Sequence, residues 1–504
     1  MSFPASRTHL PRTLHGVFLR HAHVLLILSW LVLGFSLAFC VPLLWGLLDE
    51  DMRQQKIWLH GLLLTLGVGL ALWLACRRYR AELSVKDGFL LVNLVWTVLP
   101  ALAAVPLLEA IPGITWSKAY FEAMSALTAT GATVLTGLDQ LDPAVNLWRC
   151  FLQLIGGLGI MVLALAVLPF LGLGGMQLFK AEMPGPMKDT RLTPRIAETA
   201  RGLWGVYFLL STACLLAYRW GGMSWLDAFM HMCTTVGLGG LSSHDESFAY
   251  WNSPQLEWTA VIFMALAGVS FARYFMVWRL RSLRPLMQDA EVRAYVLVLT
   301  LAILAIWLLL ALHGQQGGNF GDQLRTAAFQ VVSVATTTGY ATTDYAQWPR
   351  FGPVLLLFLG AFVSCAGSTG GGIKMVRMLV LVKLAGRELV RAMHPRVVNP
   401  LMLGRVVVPQ AVVWAIMAYM LIYGVCMVGL TLLLLASGMD MVTAFSAVIA
   451  CLNNIGPGLG SVGPAGNYAA LTGFQTGALT LAMLLGRLEL ISVLVLFTPR
   501  FWRR

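Results

Sequence analysis

The chain has 504 residues, 58% of them hydrophobic and only 12% charged, with a formal net charge of +12. That charge content is about half of what a soluble globular protein carries, and apolar runs recur from Val24 to Phe497, which excludes a compact water-soluble core and makes a bilayer the solvent. The eight cysteines are scattered with no CxxC pair, so they read as small packing residues rather than a disulfide frame or zinc site.

The first apolar run, Val24–Leu48, is too long for a signal-peptide core and reads as a retained helix. Further spans of about 20 apolar residues are expected at Trp58–Ala75, Gly88–Leu108, Leu147–Gly172, Gly202–Tyr218, Leu256–Leu280, Ala294–Leu312, Val354–Val382, Val412–Ala436 and Thr472–Phe497. Ten spans place both termini on one side. Positive charge falls on alternate loops: Arg77, Arg78, Arg80 and Lys86; Lys180, Lys188, Arg191, Arg195 and Arg201; Arg279, Arg281, Arg284 and Arg293; Arg387, Arg391, Arg396 and Arg405. The loops between are acidic or neutral, with Asp49, Glu50, Asp51, Asp139, Asp142, Asp245, Glu246 and Glu257. The positive-inside rule puts the basic loops and both termini in the cytoplasm. The basic excess is topology, and no nucleic-acid partner is expected. Trp58, Trp148 and Trp348, near predicted helix ends, are expected to anchor at the membrane interfaces.

Four stretches between spans are moderately apolar but too short to cross: Trp116–Ala132, Ser224–Leu241, Gly321–Tyr340 and Met439–Pro457. Each carries a Phe preceded by Ala or Tyr (Phe121, Phe229, Phe329, Phe445) and ends in glycine with Thr or Asn. Gly131, Gly239 and Gly339 lie ten positions after that Phe, and Gly456 eleven. Gly240 sits beside Gly239, so the second register is open between the two. The repeat is helix, short helix, glycine-containing loop, helix. The fold class is therefore an all-α polytopic membrane protein of ten transmembrane helices, with four such repeats around one central pore. The divisions are residues 1–87 for an N-terminal pair outside the pattern, then 88–201, 202–293, 294–405 and 406–504 for the repeats.

Non-helical backbone at membrane depth is tolerated only where it is buried or lines water. Four such loops argue for a shared polar path. A ring of backbone carbonyls can replace an ion's hydration shell, and such loops need glycine where β-carbons forbid the backbone angles. No carboxylate lies inside the loop runs themselves, which favours a carbonyl filter for a monovalent cation. The candidate filter residues are Thr128, Ala129, Thr130 and Gly131; Leu238, Gly239 and Gly240; Thr336, Thr337, Thr338 and Gly339; and Asn453, Asn454, Ile455 and Gly456. Asp227 and Asp440 begin short helices, where a carboxylate suits the positive dipole end. His231 reads as a packing or hydrogen-bonding residue, having no partner at metal-site spacing.

The span beginning near Val354 is interrupted by Gly367, Ser368, Thr369, Gly370, Gly371 and Gly372. Successive glycines are poor helix material. The stretch reads either as a tight helix crossing or as a flexible intramembrane loop below the filter. Arg487 and Glu489 fall within the last predicted span. Arg487 either faces a polar interior or snorkels to the interface or pairs with an acid. Lys374 faces either the same cavity or the cytosol. The Met183–Pro186 stretch leads into a basic amphipathic segment that rests on the membrane or contacts a partner.

In order along the chain stand TATGATVLTGLD from Thr128, GLGGLSSHD from Gly237, TTTGYATTDY from Thr336, CAGSTGGGIKM from Cys365, NNIGPGLG from Asn453 and GRLEL from Gly486. With them the chain resembles the TrkH/TrkG/KtrB superfamily of potassium transporters over nearly its whole length. One departure is Leu241, where family members usually carry Phe. The resemblance implies potassium as the transported ion with no covalently bound cofactor. It further implies a homodimer in the bacterial inner membrane, a Gly-rich gate with Arg487 beneath the filter, and a cytoplasmic TrkA-type regulatory subunit binding NAD or ATP. Potassium–sodium or potassium–proton symport and sodium permeation stay open on the same scaffold. A membrane-embedded enzyme would need clustered intramembrane acids, His or Cys, and no such cluster is legible.

Overall fold

The computed structural model describes residues 14–79, 81, 83–166, 192–313, 319–404 and 406–503. The expected cytoplasmic positions Arg80, Lys180, Lys188, Arg191 and Arg405, and the Met183–Pro186 stretch, lie outside them. Apolar sequence closes into helices because lipid offers no partner for free backbone groups.

Helix α1 (Leu14–Ser36) passes through a 3₁₀ turn into α2 (Cys40–Leu48), and α3 (Met52–Cys76) returns beside them. Asp51 caps α3 by accepting from Arg53 N and Gln54 N. The first repeat is α4 (Val85–Ala110), the short α5 (Trp116–Leu127) and α6 (Pro143–Ala166). The second is α7 (Leu192–Trp220), the short α8 (Trp225–Val236), then α9 (Pro254–Ala267) and α10 (Phe271–Leu280). The third is α11 (Ala290–Leu312), the short α12 (Phe320–Ala335), α13 (Phe351–Phe362) and, past the glycines, α14 (Met375–Met393). The fourth is α15 (Gln410–Ala436), the short α16 (Met441–Leu452), α17 (Gly473–Arg487) and α18 (Ile491–Leu494). At about 1.5 Å per residue the short helices reach roughly 18–24 Å, less than the hydrocarbon thickness of about 30 Å. Asp440 caps α16 through Thr443 N at 2.9 Å, whereas Ser224 caps α8 and Asp227 sits one turn in.

Among the described residues six helices are long and apolar enough to cross a membrane, and two bent pairs pass jointly. Both bent pairs correct an expected straight span. Leu256–Leu280 breaks between α9 and α10 with an 85° bend, and Thr472–Phe497 breaks after α17 with a 109° bend. Tight packing accompanies both breaks. A β-carbon on Gly268 would meet Tyr295 Oη at 2.5 Å, and one on Gly486 would meet Leu452 O at 2.0 Å. Glu489 and Leu490 then take left-handed φ values of 57° and 51°.

Outward faces are apolar, as on α11 with Leu297, Leu301, Leu304 and Leu308, and on α15 with Leu421, Val425 and Leu432. This is the arrangement expected against lipid tails. The tryptophan expectation is corrected. Trp58, Trp148 and Trp348 are buried. Trp148 packs against Trp58 and Phe39 and donates to Ala103 O at 3.1 Å. A tryptophan near a helix end looks the same in sequence whether it faces lipid or a neighbouring helix.

Candidate functional site

The C-terminal ends of α5, α8, α12 and α16 each run directly into one of the four glycine-containing loops. Those ends carry partial negative charge, which favours a cation. Each loop has the same backbone signature. A left-handed residue, at Ala129, Leu238, Thr337 and Asn454, precedes by two positions a positive-φ glycine at Gly131, Gly240, Gly339 and Gly456.

The glycines explain one another. A β-carbon on Gly131 would sit 2.0 Å from Gly239 O, one on Gly240 1.9 Å from Thr338 O, one on Gly339 2.2 Å from Ile455 O, and one on Gly456 2.8 Å from Thr130 O. Each glycine thus abuts the carbonyl of the residue before the glycine in the next loop, and the fourth returns to the first. The four loops form a closed ring in chain order. Gly240 is the member in register. Gly239 faces a side chain instead, since a β-carbon there would strike Gln153 Cδ at 2.3 Å. Hydroxyls bridge within loops: Thr128 to Thr130 at 2.7 Å and Thr336 to Thr338 at 2.8 Å. Asn454 donates to Thr130 Oγ1 at 2.8 Å, tying the fourth loop to the first.

The Gly-rich segment Gly367–Gly372 packs directly under this ring. Gly371 N donates to Thr337 Oγ1 at 2.8 Å, and Thr369 Oγ1 donates to Val236 O at 2.9 Å. A β-carbon on Gly371 would lie 2.1 Å from Asn453 O. Arg487 is buried at the C-terminus of α17. It donates to Thr369 O and to Gly156 O, each at 3.0 Å, and lies over the Trp96 ring at 5.7 Å. Among the described residues no carboxylate pairs with Arg487; Glu489 pairs with Arg377 instead. Lys374 is buried and donates back to Gly370 O. Its ammonium therefore braces its own loop. Glu291 accepts from Ala366 N at 2.7 Å and Val376 N at 3.0 Å, one on each side of the segment.

On the opposite side of the ring, His244 pairs with Asp139, lies 3.5 Å from Asp227 and stacks on Tyr250. Burial opposes its protonation, but the hydrogen bonds and charges of Asp227 and Asp139 outweigh it and raise the imidazole pKa. Burial likewise opposes ionisation of Asp227, yet hydrogen bonds from His244, Ser224 and Ser243 bring its pKa down to about 2. A raised histidine contributes stability in full below its ordinary value of about 6.5, and that contribution is lost as pH rises through the folded-state pKa. The thermal midpoint of detergent-solubilised protein should fall from about pH 6 to about pH 9, and His244→Gln should flatten that dependence. An unchanged profile in the variant would remove this cluster as the cause.

The whole arrangement is matched elsewhere. The family model for TrkH, described as a cation transport protein, matches residues 54–504. The chain belongs to the TrkH cation transport family. It is similar to the Trk system potassium uptake protein TrkH of Vibrio parahaemolyticus, at 43% identity over 95% of this chain and 99% of the relative. TrkH of Escherichia coli K12 is 41% identical over 95% of this chain and 98% of the relative. Escherichia coli TrkG is 35% identical over 95% and 98%. The crystal structure of the potassium transporter TrkH from Vibrio parahaemolyticus matches with a TM-score of 0.88 at 40% identity, covering 96% of this chain and 99% of that one. As a TrkH family member the chain is a helical, multi-pass membrane transport protein and not an enzyme.

Sequence reading missed three buried polar residues behind the loops, Glu122, Arg149 and Gln153, and the half-buried Glu291 beside the glycine segment. The available signal was their position in or beside apolar segments, where ionisable side chains are costly and seldom incidental.

Proposed function

We propose that this chain conducts potassium into the cell across the bacterial inner membrane, with the four loops as its selectivity filter. The closed glycine–carbonyl ring carries this reading. Backbone oxygens of Thr130, Gly239, Thr338 and Ile455 stand one per loop, each wedged against the glycine of the preceding loop. Such oxygens can replace the hydration shell of a monovalent cation without a fixed charge that would trap it. The converging helix C-termini add favourable potential. The potassium uptake named for the relatives supports the choice of ion.

Below the ring, Gly367–Gly372, Lys374 and Arg487 form the gate. Glycine makes the segment deformable, and its hydrogen bonds to the loops and to Arg487 tie its position to the path. The alternate-loop charge pattern supports cytoplasmic termini, and hence a gate on the cytoplasmic side. In this reading residues 88–201, 202–293, 294–405 and 406–504 are the four pore repeats, and residues 1–87 stand outside them. The relatives' designation as parts of a Trk system supports work with a cytoplasmic nucleotide-binding subunit of TrkA type, and the family resemblance supports a homodimer.

The deciding measurement is flux in liposomes carrying the purified protein, with potassium, rubidium, sodium and lithium gradients in competition. Potassium and rubidium are expected to pass well ahead of sodium and lithium. Equal passage of all four would sink the carbonyl-filter assignment.

A further inference from the structure

Each loop is held from behind by a polar side chain of its own short helix. Counted back from the ring glycine, nine residues lead to Glu122, His231 and Gln330, and ten lead to Ser446. All four reach the outgoing limb of their loop, just past the glycine. Glu122 accepts from Thr133 Oγ1 and from Val134 N, each at 2.9 Å. His231 Nε2 lies 3.0 Å from Ser242 Oγ. With its amide oxygen turned to the limb, Gln330 accepts from Thr342 N at 2.9 Å. Ser446 Oγ accepts from Leu459 N at 2.8 Å. Three of these buckles are neutral or use an imidazole. The first alone is a carboxylate.

A buried carboxylate needs a counter-charge. Arg149 of α6 supplies it, with Nε 2.7 Å from Glu122 Oε1 and both side chains fully buried. Its guanidinium does more than neutralise. It donates to Thr133 Oγ1 at 3.0 Å on the first loop and to Ser242 O at 3.4 Å on the second. On the same face of α6, Asn146 reaches Leu138 O at 2.9 Å and Ser243 O at 3.4 Å. Gln153 brackets the second loop, donating to Gly239 O at 2.8 Å and accepting from Leu241 N at 3.2 Å. Positions 146, 149 and 153 fall on one stripe of a helix. That stripe is a seam between the first and second loops.

We propose that Glu122 and Arg149 are a positioning pair for ion selection, setting the spacing of the first and second loops through Thr133 and Ser242. The idea rests on the filter reading above. In a carbonyl ring, cavity size and the number and field strength of the oxygens are the two accounts of discrimination between cations, and the placement of neighbouring loops enters both. A charge-assisted network is stiffer and stronger than a neutral one. The pair sits at the seam of the second loop, which alone of the four carries a doubled glycine, Gly239 and Gly240, followed by Leu241.

The test compares rubidium and sodium fluxes in liposomes for Thr133→Val, Glu122→Gln and Glu122→Asp. Thr133→Val leaves the ion pair and the Val134 N bond to Glu122 intact and removes only the hydroxyl through which Glu122 and Arg149 grip the loop. Glu122→Gln removes the charge and turns an amide N–H toward a donor. Both should raise the sodium-to-rubidium flux ratio by about tenfold, the scale of one lost hydrogen bond to a charged group. Glu122→Asp, which keeps the charge, should restore most of the selectivity. An unchanged ratio in Thr133→Val overturns the proposal, even if Glu122→Gln fails to yield monodisperse protein. Gly240→Ala runs alongside: undiminished flux there would overturn the filter reading itself, a result distinguishable from loss of the positioning role alone.

Discussion

Gly240→Ala is expected to abolish potassium uptake, with a loss of at least about a hundredfold, or roughly 2.7 kcal/mol. The alanine β-carbon would lie 1.9 Å from Thr338 O, inside any permitted contact, at a residue with φ of +70°. Backbone is the obstacle, so no side-chain rotation relieves it. Either the second loop or the third must move, and each is locked to its neighbours around the ring. Gly239→Ala should be milder. Its β-carbon meets the Gln153 side chain at 2.3 Å, which can turn away at the cost of its hydrogen bonds to Gly239 O and Leu241 N. Rubidium uptake by vesicles, or growth of potassium-requiring cells, reads both variants. Gly240→Ala with full uptake would refute the ring as the conducting element. The reverse order of severity would move the register back to Gly239.

Removing Arg487 is expected to raise resting flux. The guanidinium is held under the loops by Thr369 O and Gly156 O, with no carboxylate paired to it among the described residues. A unit charge about 8 Å from a permeating cation costs about 2 kcal/mol at an effective dielectric of about 20. Arg487→Ala should therefore increase basal rubidium flux by about tenfold or more in liposomes lacking any regulatory subunit. Arg487→Lys should fall between, because an ammonium keeps the charge but loses the two-pronged contact. Basal flux equal to that of the parent protein would take Arg487 out of the gate.

Much of this architecture is legible in the chain itself. Apolar length against bilayer thickness locates the spans, and the short stretches at Trp116–Ala132 and Met439–Pro457 stand out because they cannot cross. The Gly-rich interruption after Val363 shows as a run of poor helix formers. Counting from a phenylalanine left the second register open between Gly239 and Gly240. The interval from Phe229 to its ring glycine is one residue longer than that from Phe121, so equal spacing pointed to Gly239. Likewise the stretches at Leu256–Leu280 and Thr472–Phe497 carry the hydropathy of continuous spans. Their bends arise where glycine lets another chain segment press close.

By itself the sequence determined the solvent, the fourfold repeat and the identity of the loop residues, because these follow from hydropathy, length and backbone allowance within one segment. The tertiary structure decided which glycine joins the ring, which loop abuts which, and that Arg487 rests on carbonyls while Glu489 binds Arg377. It also decided that Glu122 and Arg149 meet behind the loops. Those outcomes depend on contacts between segments far apart along the chain, where a single residue of register changes the partner, and no local pattern encodes that register.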